Sequence, residues 1–401
     1  MKIREYILDT LYRVFCEDGY ASLIMRENQD VDKTDMAYIS ECVYGTIRNY
    51  ALLEYQWRPF AKKVRPKTAL LLDMSVYQLF FMRTPDYAVI NEAGRLARKA
   101  DVGFVNAVLH KVLAKGFQKP DDPSVLYSHP KWILNLWKAH YGEEQALAIA
   151  QADQERPQVF GRINPLKITM EELEKESYIH RVDNWLFHSD IPLQKTEYFK
   201  DGKVIIQNPS SLKTALFLEA EEGMDVLDVC AAPGSKTQAI AAMMHNKGSI
   251  VACDLYEHRT ELIQQLMNRT GVIICKTEVR DACQKNNFME EQYDRVLCDV
   301  PCSGLGDLSH KPEIRWHLKP ENLDSLMVIQ RQILENAANV LKIGGKLVYS
   351  TCTLNKKENE NQIHSFLQNH LDFEIEEEKT IFPMNGNDGF YMARLRKKEV
   401  L

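Results

Sequence analysis

Met224-Asp-Val-Leu-Asp-Val-Cys-Ala-Ala-Pro-Gly-Ser-Lys-Thr237 is the stretch whose reading decides the fold. An apolar run, Val226 to Cys230, ends in small residues and a Pro-Gly turn, after which Lys236 and Thr237 open an Ala/Met-rich helical segment. Buried strand, tight turn and helix start are the parts of a βα nucleotide-binding unit. Such a turn turns free backbone N–H groups and the positive end of a helix dipole toward a ligand. Neither Gly-x-Gly-x-x-Gly nor Gly-x-x-x-x-Gly-Lys-Ser/Thr is present, so the stretch is neither a dinucleotide fingerprint nor a P-loop. The next apolar run, Ser249-Ile-Val-Ala-Cys-Asp254, closes on a carboxylate. Asp254 falls about 20 residues beyond the glycine turn, where an acidic residue meets ribose hydroxyls in such units. A carboxylate without a phosphate cradle suits a nucleoside ligand, S-adenosylmethionine first among them.

Outward from this unit the pattern repeats. From Val204 onward, strands predicted at 225–230, 249–254, 272–276, 294–299 and 345–350 alternate with helices, the pattern of a doubly wound, mostly parallel α/β sheet. Ligands bind such sheets at the carboxyl ends of the strands. Upstream, residues 1 to about 125 read as helix after helix. Ile3, Ile7, Leu8, Leu11, Val14 and Phe15 form one apolar face, and further helices are predicted over Met36–Tyr50, Leu70–Met82, Ala88–Lys99 and Gly103–Ala114. Phe117 to Ser128 is polar and Pro/Asp-containing, a predicted linker. Trp132, Leu136, Trp137 and Tyr141 follow as a helical core patch. Between Phe160 and Phe199, short apolar runs around a charged helix, Met170 to Ser177, predict a small α/β subdomain in which Arg162 and Asn164 are candidate RNA contacts.

Bulk properties narrow the class. A chain of 401 residues with 45% hydrophobic and 26% charged residues is ordinary for a globular protein of two or three domains. The first residues, Met1-Lys-Ile-Arg-Glu-Tyr, do not read as a signal peptide, and the longest apolar run, Ala69 to Met82, is interrupted by Asp73 and Gln78; the expected location is the cytoplasm. Nine cysteines without a Cys-x-x-Cys pair argue against a disulfide framework and a structural zinc site, and no metal is expected. Cys16, Cys42, Cys253, Cys275 and Cys283 are expected to be inert, buried packing. The net charge of −6 is unlike a nucleic-acid binder, so any RNA affinity must come from local patches. Arg58-Pro-Phe-Ala-Lys-Lys-Val-Arg-Pro-Lys67 is the strongest such patch.

Three motifs occur in order: Cys230-Ala-Ala-Pro-Gly-Ser-Lys-Thr237, Asp299-Val-Pro-Cys-Ser-Gly304 and Tyr349-Ser-Thr-Cys-Thr353. Alone, a Thr-Cys or Pro-Cys after a strand is ordinarily a small buried residue, and a carboxylate there a helix cap. Together they resemble the RNA (cytosine-5) methyltransferases, particularly the Fmu/Sun (RsmB) ribosomal RNA enzymes. Tyr44-Gly-Thr-Ile-Arg48, Val89-Ile-Asn-Glu-Ala93 and Gly103-Phe-Val-Asn-Ala-Val-Leu109 likewise resemble the NusB RNA-binding fold. The resemblance implies a NusB-like all-α domain over 1–125, linker helices and a small α/β subdomain over 126–200, and a Rossmann-like S-adenosylmethionine-dependent methyltransferase domain over 201–401.

Carbon 5 of cytosine is a poor nucleophile until a thiolate adds to carbon 6. The resemblance makes Cys352 that nucleophile, Cys302 the group assisting proton removal and product release, and Asp299 the contact to the cytosine edge and the transferred methyl. It gives the cofactor Cys230, Ala231, Ala232, Pro233, Gly234, Ser235 and Lys236, with Asp254 on the ribose, Arg259 one turn further, and Asp281 by the adenine. Lys311-Pro-Glu-Ile-Arg-Trp316 resembles a family stretch near the target base, and Asp388-Gly-Phe-Tyr-Met-Ala-Arg394 the terminal strand. Departures are Ser235 where the family has Gly, expected to crowd the turn, Val300 in place of Ala, and Gly306-Asp-Leu-Ser-His310 in place of a basic Val-Ile-Arg-Arg-like segment. The expected partner is RNA, most of all 16S ribosomal RNA or a pre-ribosomal particle, acted on by a monomer without a membrane. Transfer RNA stays open as substrate, and a non-catalytic RNA-binding assembly factor is the reading from another class.

Overall fold

A computed structural model describes residues 3–27, 35–285 and 292–399. Contacts divide the chain into two compact units, Met1–Arg156 with Leu308–Lys319, and Pro157–Asp307 with Pro320–Leu401.

The first unit is helical: α1 Ile3–Cys16, α2 Ala21–Glu27, α3 Met36–Arg48, α4 Tyr50–Trp57, α5 Pro66–Phe80, α6 Asp86–Leu96, α7 Val102–Lys115, α8 Pro123–Leu126, α9 Lys131–Tyr141 and α10 Glu143–Ala152. The apolar face read for α1 is buried through Ile7, Leu8, Leu11 and Val14, against Trp57, Leu72, Val76 and Leu109. Asp73 and Gln78, which break the apolar run of α5, are buried but partnered. Asp73 accepts Trp57 Nε1–H at 2.6 Å through Oδ1, its Oδ2 staying buried without a hydrogen bond, and Gln78 donates to the Tyr38 hydroxyl at 3.1 Å. Burial pushes the Asp73 carboxyl well above the usual carboxylate range.

The predicted linker is bound into this unit. Gln118 and Gln56 exchange two hydrogen bonds of 2.8 Å, Asp122 caps α8 through Ser124 N–H at 2.9 Å, and the buried Ser128 hydroxyl accepts from Ala51 N–H at 2.8 Å. Trp137 and Ile149 of α9 and α10 are also fully buried, and the break in contacts falls after Arg156 rather than near 125. The segment 308–319, carrying the short helix Ile314–His317, completes the same unit. Arg315, fully buried, donates to Ser128 O at 3.1 Å and Leu308 O at 3.3 Å; Trp316 Nε1–H donates to Ile47 O at 3.0 Å; Glu313 accepts Ala21 N–H at 3.2 Å. The Arg and Trp expected near a target base are therefore engaged inside the helical unit. The guanidinium satisfies carbonyls that would otherwise be stranded in the core.

The second unit begins with a four-stranded antiparallel sheet ordered β2-β3-β1-β4, from β1 Gly161–Ile163, β2 Ile179–Arg181, β3 Leu186–Ser189 and β4 Val204–Ile206. The charged helix read over 170–177 is confined to α11, Met170–Leu173, closed by a Thr169/Glu172 capping box; α12 is Glu197–Lys200. The main sheet has seven strands in the order β10-β11-β9-β8-β5-β6-β7. Its elements are α13 Pro209–Phe217, β5 Asp225–Asp228, α14 Ser235–Met243, β6 Ser249–Asp254, α15 Glu257–Thr270, β7 Cys275–Val279, β8 Tyr293–Asp299, α17 Asn322–Asn339 (α16 being Ile314–His317), β9 Leu341–Thr351, α18 Glu360–Asn369, β10 Phe373–Ile381 and β11 Phe390–Lys397. β7, β6, β5, β8 and β9 are parallel, whereas β11 and β10 run antiparallel. Side chains alternate across it: Val296, Cys298, Leu347 and Tyr349 pack under Ile333, Leu334 and Ile363, while Leu297 and Val348 face Leu212, Ile240 and Ile263. The strand predicted at 272–276 starts later, because Gly271 ends α15 in a left-handed conformation. Cys42 and Cys253 are buried as expected, Cys16 is exposed at the end of α1, and Cys275 and Cys283 are half-buried.

Arg315→Ala should destabilise the chain by roughly 3 kcal/mol, through stranded carbonyls and a cavity, whereas exposed Lys319→Ala should change stability by less than about 0.5 kcal/mol. Guanidinium unfolding midpoints of the two variants measure the difference.

Candidate active site

The main sheet changes direction of winding at β5: β6 lies on one side of it and β8 on the other. A crevice opens at the carboxyl ends of the strands at such a switch point, and the turn after β5 occupies it. Ala231 N–H donates to Cys253 O at 2.8 Å and Gly234 N–H to Ala231 O at 2.7 Å; the Ala232–Pro233 peptide bond is cis. Gly234 caps α14 at φ +100°, and a Cβ there would come within 3.2 Å of Ile263. Ser235 is the first residue of α14, outside that left-handed position, so a side chain there meets no backbone strain.

Two carboxylates flank the turn. Asp254, at the end of β6, accepts Ala232 N–H at 3.2 Å through Oδ2; its buried Oδ1 makes no hydrogen bond and lies 3.3 Å from Arg259 Nη1. Arg259 thus faces Asp254. Asp228, in the last position of β5, accepts the Thr237 hydroxyl at 2.8 Å through Oδ2, and its Oδ1 is likewise buried without a hydrogen bond. Burial pushes the Asp228 carboxyl up to about 7. Burial also holds the Cys230 thiol well above its ordinary value, so Cys230 presents a neutral S–H. Asp281 stands in the turn after β7, where it accepts Cys283 N–H at 2.9 Å.

The third cluster lies at the ends of β8 and β9. Lys236 Nζ is 2.6 Å from Asp299 Oδ2, and Asp299 Oδ1 accepts the Ser350 hydroxyl at 2.8 Å. Burial opposes the Lys236 charge, but Asp299 outweighs it and holds the ammonium above its usual range; Cys352 adds to that field. The sulfurs of Cys302 and Cys352 are 3.3 Å apart. The hydrogen bond to Cys352, burial, and the charges of Cys352 and Glu358 all push the Cys302 thiol well up, so Cys302 keeps its proton. Gly306 explains part of the atypical 306–310 segment: a Cβ on it would lie 2.0 Å from Gly389 O, and Gly306 N–H donates to Cys352 O at 3.0 Å.

Arg162 and Asn164, read as RNA contacts, are fully buried. Arg162 bonds Gln238 and reaches Ser235 O at 3.4 Å; Asn164 donates to Gly202 O and Thr270 O, each at 2.8 Å. They join the small sheet to α14 and α15 and cannot reach RNA. Asp228 and Thr237 carry no assigned role among the sequence motifs. Their signal was a carboxylate inside an apolar strand, which must find a partner.

The Asp228 and Asp254 oxygens that make no hydrogen bond, both buried beside one turn, fit a ligand rich in hydroxyl and amine donors. Family models match along the chain: the NusB family over residues 1–114, the RsmF/B-like ferredoxin-like domain over 129–176, and the 16S rRNA methyltransferase RsmB/F over 215–396. The probable ribosomal RNA small subunit methyltransferase B of Bacillus subtilis is 33% identical over 441 aligned residues, covering 99% of each chain. The chain belongs to the ribosomal RNA small subunit methyltransferase B family. The Shigella flexneri member is 30% identical over 92% of each chain. Among solved structures, PH0851 matches 99% of each chain with a TM-score of 0.79 at 24% identity, a likeness of fold. A methyltransferase homologue from Pyrococcus horikoshii covers 69% of this chain and 98% of its own with a TM-score of 0.62 at 27% identity. A member of the RsmB family is an RNA methyltransferase with S-adenosylmethionine as cofactor, and no helix among the described residues is long and apolar enough to cross a membrane.

Asp228 carries a pH signature. Its carboxyl is raised above the unfolded value of 3.8, so the stability it contributes is present at acid pH and lost as pH rises toward about 7. Asp228→Asn should remove that loss. The unfolding midpoint of the variant should gain on the parent as pH rises from about 4 to about 7 and level off above that.

Proposed function

We propose that this chain methylates carbon 5 of a cytosine in small-subunit ribosomal RNA through a covalent adduct between Cys352 and carbon 6. One observation carries the reading: two thiols 3.3 Å apart at adjacent strand ends, beside the Lys236–Asp299 pair. Cys352 Sγ adds to carbon 6, which makes carbon 5 nucleophilic. S-adenosylmethionine supplies the methyl group and would be held by residues 230–236, Asp254 and Asp281. Asp299, held by Lys236 and Ser350, meets the ring edge at N3 and the exocyclic amine and stabilises the adduct. A base then takes the carbon-5 proton, the electrons of that C–H bond re-form the carbon 5–carbon 6 double bond, and Cys352 leaves carbon 6 as a thiolate. Cys302, its sulfur 3.3 Å from that of Cys352, assists this proton removal and the release of product.

The helical segment 1–125 and the subdomain within 126–200 take the role of gripping the RNA while residues 201–401 receive the target base, which must leave its stack to be modified. The NusB-family match supports the first of these roles. The small-subunit substrate rests on the names of the relatives.

Cys352→Ala should lower methyl incorporation by more than about 1,000-fold, and Cys302→Ala should accumulate a protein–RNA adduct that survives denaturing electrophoresis. Reversed phenotypes would mean that the Pro-Cys thiol is the nucleophile, as in DNA cytosine methyltransferases. Bisulfite sequencing of RNA from cells lacking the protein identifies the substrate. A lost mark in transfer RNA would replace the ribosomal one, and unchanged methylation in every RNA would leave a non-catalytic assembly factor.

A further inference from the structure

Glu358 follows the Cys352 strand in sequence, lies just ahead of α18, and is fully buried. Its Oε2 accepts Ser303 N–H and Gln330 Nε2–H, each at 2.9 Å; its Oε1 accepts the Ser303 hydroxyl at 2.5 Å and Asn355 Nδ2–H at 2.9 Å. Both oxygens act only as acceptors, the pattern of an ionised carboxylate, and all of these donors are uncharged. A buried carboxylate held by neutral donors alone is costly. What those donors have in common is their place. Ser303 follows Cys302 directly, and Gln330 also donates to Pro301 O at 2.9 Å, so the residues on both sides of Cys302 are fixed. Asn355 and Thr353 belong to the loop of Cys352, and the Ser303 and Thr353 hydroxyls meet at 2.7 Å. The backbone of Glu358 is fixed in turn, its carbonyl accepting the buried Tyr349 hydroxyl at 2.7 Å.

We propose that Glu358 is a positioning residue for methyl transfer: its carboxylate clamps the Cys302 loop against the Cys352 loop, setting the distance between the sulfurs and the division of labour between them. The inference rests on the reading of those two thiols given above. It assigns Glu358 no contact with substrate or cofactor. The charge acts in the same sense as the geometry, since it is among the influences that keep the proton on Cys302.

The experiment uses the full-length protein with its RNA substrate. Glu358→Gln keeps the shape but turns an amide N–H₂ toward donors. Displacement of the Cys302 loop should lower kcat by about 100-fold, the cost of misplacing a reacting group by an ångström. KM for S-adenosylmethionine should stay within about twofold, because the 230–236 turn is untouched. The denaturation-resistant adduct should accumulate in Glu358→Gln and vanish in Glu358→Gln/Cys352→Ala. Alkylation of Cys302, followed by mass spectrometry, should shift to lower pH, since removing a nearby negative charge favours the thiolate. Ser303→Ala, which deletes one hydroxyl and keeps the carboxylate, should move kcat and adduct level in the same direction by a smaller factor; it answers the question if Glu358→Gln fails to fold. Parental kcat, adduct level and Cys302 alkylation profile in both variants would overturn the inference, as would a fall in activity tracking only melting temperature. An inactive parent protein would instead overturn the cytosine-methylation reading.

Discussion

The parallel pairing of β8 with β9 is the constraint on which the site depends. Its register sets Cys298 opposite Tyr349 and Asp299 opposite Ser350. Each chain then leaves the sheet within a few residues, one through Val300-Pro301-Cys302 and the other through Thr351-Cys352. Side chains on neighbouring parallel strands reverse faces with every residue, so a slip of one position would send Asp299 or Ser350 to the wrong side of the sheet. Backbone hydrogen bonds thus do the coarse placement of both thiols, before any side chain is considered. The neighbouring pairing of β5 with β8 and β6 brings the 230–236 turn, and Lys236 with it, to the same edge.

What the ladder places, buried polar groups hold. Carboxylates at 228, 254, 299 and 358 surround the cluster, and each is handled differently. Asp299 has a cation, Asp228 a hydroxyl and a raised proton affinity, Asp254 a backbone amide and Arg259, and Glu358 only neutral donors. Burying such groups opposes folding unless they are partnered, and a satisfied network allows few alternative arrangements. Arg162 and Asn164 do the same behind it, joining the small sheet to α14 and α15 beside the 230–236 turn.

Much of this was legible in the sequence, because strand-end motifs announce themselves through small residues, a Pro-Gly turn and a carboxylate after an apolar run. The parallel strands and the helices of the first unit follow from periodicity, which burial enforces. Other features obey contacts distant in sequence. Arg162 and Arg315 look like surface charges, and only tertiary packing reveals that each is spent on carbonyls in a core. β10, Phe373-Glu-Ile-Glu-Glu-Glu-Lys-Thr-Ile381, is too charged to read as a strand, yet pairing with β11 along one edge suffices to form it. Glu358 sits among other charged residues, Lys356-Lys-Glu-Asn-Glu360, with nothing local to set it apart.

The segment 308–319 has a consequence for how the chain comes to be folded. Its Arg315, Trp316 and Glu313 complete a helical body whose other residues all precede Pro157. As the polypeptide emerges from the ribosome, domains ordinarily close in the order in which they are made. Here the amino-terminal helices are synthesised first, but the carbonyls at Ser128 and Ile47 wait for donors encoded far downstream. Biosynthesis of the first body therefore ends only when most of the second has already been translated.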